Sequence, residues 1–287
     1  IGNGFNEILN NSLSKGPYVD DPDKAVKLLN PLSSDLDTMR QSLLYSGLEV
    51  IAYNQKRKYS DLNLIEFGKV YFQTDNGYRE TKRLGLFMTG GLHPEQWNNS
   101  TEKVSFYELK GIVDGLLSRL NLSNLQLKDS ESISFGYGLT YFRGQQEFVS
   151  FGLVDKKLAK LTDVQGEVFY ADFDWDVVLK AIRKNKVFYK EVSKYPSVRR
   201  DLAILVDKKV TFSSLKLLAE KTEKKILRDV NVFDVYQGDK LPEGKKSYAL
   251  SFIFQDEEKT LTDKQIDSLI QKFILNFETE LNAEIRK

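Results

Sequence analysis

The sequence predicts an α+β protein built as two domains, and three observations carry that prediction. At 287 residues the chain is longer than one ordinary domain. Residues 195–287 run through β-rich and helical segments in the order β-α-β-β-α-β, a split βαβ plan. Residues 1–190 supply strand-like and amphipathic helical runs that suit an antiparallel sheet flanked by helices.

Taken in order, residues 4–13 read as a short helix, with a turn after them at Gly16-Pro17. Residues 25–29 read as a strand ending at Asn30-Pro31. Ser33 or Ser34 is placed to cap a long helix with Leu36, Met39, Leu43, Leu44, Leu48 and Ile51 inward. That helix would end in Lys56-Arg57-Lys58, where cations complement the helix dipole. Residues 64–73 and 83–89 read as antiparallel strands. After a loop, Leu109, Ile112, Val113, Leu116, Leu117 and Leu120 keep to one helical face. Strands are predicted over 132–137, 139–143, 147–154 and 168–173, and Asp174 caps a helix through Ile182.

Pro196 cannot donate to a ladder, so the first strand of the second domain begins after it. Residues 210–226 form a helix with Leu215, Leu217, Leu218 and Ala219 as its apolar positions and Thr211 or Ser213 as N-cap. Residues 230–236 are the second strand. A turn over 237–246, with Gly238, Pro242 and Gly244, leads to a third strand over 247–255. In the second helix Thr262 and Gln265 have capping-box spacing, and Leu261 and Ile266 have hydrophobic-staple spacing. Ile266, Leu269, Ile270, Phe273, Ile274 and Phe277 share its inner face, and residues 282–287 form a short closing strand.

Composition narrows the function classes. Hydrophobic residues make up 41% and charged residues 29%, enough apolar material for ample cores. The absence of cysteine excludes disulfides and thiolate metal sites and fits a reducing cytoplasm. No apolar run reaches membrane-helix length and no signal-peptide pattern is present, so the expectation is a cytoplasmic protein with no membrane partner. The chain begins at Ile1 in mid-pattern, which suggests a piece of something longer. Net charge is +1, and residues 193–287 hold 18 basic against 16 acidic side chains. Any nucleic-acid contact must therefore come from locally placed cations.

Four separated motifs in the second domain carry a resemblance: Tyr195-Pro196-Ser197-Val198-Arg199-Arg200-Asp201-Leu202-Ala203, Phe233-Asp234-Val235-Tyr236-Gln237-Gly238, Lys246-Ser247-Tyr248 and Lys259-Thr260-Leu261-Thr262. In this order they resemble the ferredoxin-fold anticodon-binding domain that closes the β chains of bacterial phenylalanyl-tRNA synthetases. Residues 1–190 resemble the core module of the same β chains through Gly4-Phe5-Asn6-Glu7, Asn30-Pro31-Leu32-Ser33, residues 39–44, Glu66-Phe67-Gly68-Lys69-Val70-Tyr71 and Leu109-Lys110-Gly111. The resemblance implies a catalytically inert module with the class II synthetase fold, followed by a ferredoxin-like βαββαβ domain over 195–287. It also implies a catalytic α subunit as partner in an (αβ)2 assembly, tRNA(Phe) as ligand, and ATP and Mg2+ used by the parent complex and bound by none of these residues. The alternative is a ferredoxin-like regulatory or structural adaptor module without RNA binding.

The residues give a separate reason to expect inertness. Class II synthetases hold ATP with arginines, because a guanidinium fork matches phosphate oxygens. The usual carriers are a Phe-Arg-x-Glu motif and a Gly-rich strand ending in Arg. Neither is present, and Phe151-Gly152-Leu153-Val154 is followed by Asp155. Asp172-Phe173-Asp174-Trp175-Asp176 resembles a calcium loop only superficially, because Val177 and Arg183 stand where an EF-hand needs Gly and Glu. His93, the only histidine, has no second histidine or cysteine to share a metal and reads as a surface or structural residue.

For RNA, alternation places Tyr248, Leu250, Phe252 and Phe254 in the core and Ser247, Ala249, Ser251 and Ile253 on the outer sheet face. The candidate tRNA-binding residues are Arg199, Arg200, Lys208, Lys209, Lys245 and Lys246 at strand ends and turns, and Tyr236 as a stacking ring. The plainer reading is that Arg200 and Asp201 pair locally and that the turn lysines are merely solvated.

Overall fold

A computed structural model describes every residue except 1, 3, 100, 101, 123, 124, 184, 187, 188, 190, 239, 240, 286 and 287, and divides the chain into two units, residues 1–187 and 188–287. The first unit contains β1 (Asn6–Glu7), β2 (Leu13–Ser14), β3 (Thr38–Met39), α1 (Leu44–Gln55), β4 (Leu62–Thr74), β5 (Gly77–Thr89), α2 (Phe106–Arg119), β6 (Gln126–Asp129), β7 (Phe135–Arg143), β8 (Gln146–Val154), α3 (Lys156–Leu161), β9 (Val168–Asp174) and α4 (Trp175–Ile182). Seven strands form one sheet in the order β1-β4-β5-β9-β8-β7-β6, and every pair except β1–β4 is antiparallel.

Both faces of that sheet are covered, so its central strands are apolar almost throughout. Along β9, Phe169, Ala171 and Phe173 join the cluster with Leu109, Val113 and Leu117 of α2 and Val178 of α4. Val168 and Tyr170 point the other way, to Leu44, Leu48 and Ile51 of α1. Asp174 caps α4 as expected, its Oδ1 accepting from the Val177 N–H at 3.0 Å.

Several local expectations give way to non-local pairing. Residues 4–13 are not a helix: Asn6 and Glu7 pair in parallel with Leu64 and Ile65, and Phe5 is buried in the sheet core. Residues 25–29 are not a strand, because only a single bridge, Lys27 to Thr38, forms there. Ser33 caps a single 3₁₀ turn and not the long helix, its side chain accepting from the Asp35 N–H. Thr38 and Met39 then pair with Leu13 and Ser14, and α1 starts at Leu44. Gly138 does not divide its strand, which runs unbroken over residues 135–143, whereas residues 132–134 of the predicted strand lie before it; β6 and α3 were not foreseen.

The second unit follows its predicted order: β10 (Val198–Asp207), α5 (Phe212–Thr222), β11 (Leu227–Tyr236), β12 (Lys245–Phe254), α6 (Asp263–Leu281) and β13 (Glu284–Ile285). The sheet order β11-β12-β10-β13 is antiparallel throughout, which is the ferredoxin-like arrangement, with both helices in one apolar cluster with the sheet. Thr211 is the N-cap of α5, and Leu217 proves exposed. The α6 capping box forms, with Gln265 Oε1 accepting from the Thr262 N–H at 3.1 Å. Leu261 and Ile266 are both buried. The last two residues of the predicted closing strand lie outside the described residues.

Candidate nucleic-acid interface

Register along β12 decides which side chains reach the outer face of the second unit. Tyr248, Leu250, Phe252 and Phe254 are buried beneath α5 and α6, as alternation predicts. On the opposite face Ser247 and Ser251 are only 5% exposed, although no helix covers them. They are short side chains on a central strand, overshadowed by longer neighbours on β10 and β11. The outer face is therefore a shallow trough floored by Ser247, Ala249 and Ser251.

Phe233 stands on the β11 wall of that trough, 51% exposed, beside a β-bulge between Val232 and Asp234. The Arg199 guanidinium lies 5.2 Å from the Phe233 ring centroid and forms a fork with Asp201 at 2.7 and 3.2 Å. Hydrogen bonding to Asp201 raises the Arg199 pKa further. The candidate residues named from sequence omit Phe233. The alternation that sends Val230 and Val232 inward was the available signal, because it sends Phe233 outward.

The structure does not bring the seven candidates together. Arg199 and Arg200 sit at the start of β10, while Lys208 and Lys209 follow its end, roughly 25 Å away at strand rise. Arg200 bonds Asp263, with Asp267 at 3.9 Å, and so ties β10 to the first turn of α6. Its predicted local partner, Asp201, is taken by Arg199. Lys208 and Lys209 are exposed in the turn after β10 and form no ion pair among the described residues. Lys245 faces Asp207 at 3.5 Å and Glu284 at 3.6 Å. Tyr236, half-buried, folds its ring over Gly238, where an added Cβ would stand 2.6 Å from the phenol oxygen.

Lys246 requires a correction. It pairs with Val206 on the helix-facing side, is 8% exposed, and holds its Nζ 4.8 Å over the Tyr248 ring. Its stem packs into the inner face and its ammonium rests on the ring, so the side chain is engaged there. Lys246→Glu is expected to lose ~1 kcal/mol of stability, because it sets a carboxylate against the negative face of that ring. Circular dichroism melting checks this, and an unchanged melting temperature would return Lys246 to the surface candidates.

The first unit offers a different surface chemistry. A cavity of about 220 Å³ is lined by Arg83, Glu147, Ser150, Tyr170, Asp172 and Asp174 among others. Arg83 is already shared between Asp172 at 3.5 Å and Asp174 at 3.8 Å. Burial raises the Asp172 carboxyl pKa, opposed by Arg83, and pushes the Tyr170 phenol well up. Three carboxylates around one committed guanidinium repel a polyphosphate, so this donor set does not fit ATP. Among the described residues no group of acidic or histidine side chains is placed to hold a metal ion. Asp155, at the end of β8, caps α3 by accepting from the Lys157 N–H. His93 is exposed. No helix among the described residues is long and apolar enough to cross a membrane.

Two family models match the chain: the phenylalanyl tRNA synthetase beta chain CLM domain over residues 1–175, and the ferredoxin-fold anticodon binding domain over 193–286. The chain belongs to the phenylalanine–tRNA ligase β-subunit family. The β subunit of Bacteroides thetaiotaomicron is 46% identical over 100% of this chain and 37% of its own length. That of Porphyromonas gingivalis is 38% identical over the same shares, and that of Thermotoga maritima is 32% identical over 99% of this chain and 36% of its own. The chain thus spans little more than a third of these relatives. A pyrrolysyl-tRNA synthetase of Desulfitobacterium hafniense superposes with a TM-score of 0.49 at 14% identity, over 63% of this chain and 64% of its own.

Proposed function

We propose that this chain is the scaffolding and anticodon-binding part of a phenylalanine–tRNA ligase β subunit. Residues 1–187 support a catalytic α subunit in an (αβ)2 assembly, and residues 188–287 hold the anticodon region of tRNA(Phe). Adenylate formation with ATP and Mg2+ belongs to the α subunit, and the setting is the cytoplasm. The observation that carries the reading is the match of both family models, in order, over nearly the whole chain. The acidic lining of the first unit's cavity supports the assignment of chemistry to a partner.

In the second unit the exposed pair Lys208 and Lys209 is the cation pair best placed for phosphate, with Tyr236 near the same sheet end. Arg199 is positioned to act through its stack with Phe233, and Arg200 serves α6. Filter binding of the chain to a tRNA(Phe) anticodon stem-loop across a salt series tests this. Lys208→Glu/Lys209→Glu is expected to weaken binding uniformly and to flatten the logarithmic salt slope by ~1 per lysine. Unchanged affinity and slope in that variant would remove the lysine turn from the interface. A wild-type chain that binds no stem-loop, yet holds the α subunit equally well with or without residues 188–287, would favour the adaptor reading.

A further inference from the structure

We infer that Phe233, with Arg199 laid against it, forms a stacking platform for one unpaired base of the RNA loop, and that this contact does not discriminate among bases. The inference rests on the anticodon-binding reading of residues 188–287 and adds the place and the kind of contact. Phe233 is the extra residue where β11 slips register, between Val232 opposite Leu250 and Asp234 opposite Ala249. A bulge re-aims the side chains around it, and this one leaves the ring 51% exposed on the face that carries no helix.

One exposed apolar side chain is ordinary on a protein surface. This ring has company. Arg199 comes from β10, on the far side of β12, and brings its guanidinium to 5.2 Å from the ring centroid. Asp201 grips Nε and Nη2 of that guanidinium at 2.7 and 3.2 Å, which fixes the direction of its plane. The floor between the two outer strands is Ala249 and Ser251, with Ala203 opposite Ala249, so no long side chain rises from β12 beside the ring. Charge selects the occupant. Asp201 neutralises Arg199, and Asp234 adds an exposed carboxylate on the same face, so a phosphate is poorly served there. A nucleobase is neutral and offers a π face, and it stacks on a phenyl ring or a guanidinium plane alike. Stacking touches no hydrogen-bonding edge of the base, so purines and pyrimidines are both held.

Filter binding of the 287-residue chain to a tRNA(Phe) anticodon stem-loop, with an abasic site at each unpaired loop position in turn, tests the platform. Phe233→Leu keeps an apolar side chain at a half-exposed position and should melt like wild type. It is expected to bind the intact stem-loop about tenfold more weakly, the loss of one base stack, with an unchanged logarithmic salt slope. Phe233→Tyr, which keeps a ring, should bind within about twofold of wild type. At one loop position, removing the base should cost wild type the same ~tenfold and cost Phe233→Leu almost nothing, because the two changes delete one contact. Exchanging the base at that position should change affinity little. Arg199→Gln goes through the same cycle, and it decides if Phe233→Leu melts early. Losses that add at every loop position, or Phe233→Leu binding like wild type, overturn the platform and leave the anticodon-binding reading intact. A wild-type chain that binds no stem-loop overturns both.

Discussion

Glu66→Gln is expected to destabilise the first unit by about 3–5 kcal/mol, the cost of leaving a buried guanidinium without its counter-charge. Arg40 and Glu66 are 5% and 0% exposed, and Arg40 Nη1 donates to Glu66 Oε1 at 2.7 Å. Arg40 Nε also donates to the Lys69 carbonyl at 2.9 Å, and Asn10 Nδ2 donates to Glu66 Oε2 at 2.7 Å. The pair therefore binds the N-terminal segment and the residues before α1 onto β4. Arg40→Met strands the opposite charge, the buried Glu66 carboxylate, and should cost a similar amount. The double variant should cost less than the two single losses added, because the partners are coupled. The only two tryptophans, Trp97 and Trp175, both lie in the first unit, so fluorescence-monitored urea unfolding isolates its transition. A Glu66→Gln midpoint equal to wild type would show that water or another group reaches Arg40.

That ion pair also marks where sequence reading stops. Residues Glu66-Phe67-Gly68 belong to a motif legible in the sequence, but its reason is tertiary. An added Cβ at Gly68 would stand 2.3 Å from Arg40 Nη2, so the glycine makes room for the guanidinium. Nothing in local periodicity announces a partner 26 residues away. The same limit explains residues 4–13, whose fate is set by a two-residue parallel pairing with β4. The second unit was legible because its signals are local: Pro196 before β10, the Thr262–Gln265 box, and strict alternation along β12. Elsewhere the local signal was present and missed, as with Phe233. If Tyr248 faces inward, Lys246 two residues earlier must do so too. The Ser105–Glu108 capping box that starts α2 is another such case, with the same spacing as the one found at α6.

Gly152→Ala should cost ~3 kcal/mol or more, the upper end of what overpacking a core produces. An added Cβ there would lie 2.2 Å from the Tyr137 carbonyl oxygen and 2.6 Å from Gly138 Cα. These are backbone atoms of β7, which pairs with β8 on one side while β9 pairs on the other. Gly138 faces Gly152 directly, and its own Cβ would meet the Phe151 carbonyl at 2.7 Å. Relief requires a strand to move, and the strand is held from both edges. Gly47→Ala is the instructive contrast. Its Cβ would fall 2.1 Å from Phe87 Cζ, a shorter approach, but the obstacle is a side chain. Gly47 lies inside α1, so alanine also gains up to ~1 kcal/mol of helix propensity. Phe87→Leu should therefore partly rescue Gly47→Ala, with the double variant more stable than additivity allows. No side-chain truncation should rescue Gly152→Ala. Urea midpoints for the two singles and the Gly47→Ala/Phe87→Leu double test the distinction. A Gly152→Ala midpoint within ~1 kcal/mol of wild type would mean that β7 and β8 can part locally without disturbing the sheet.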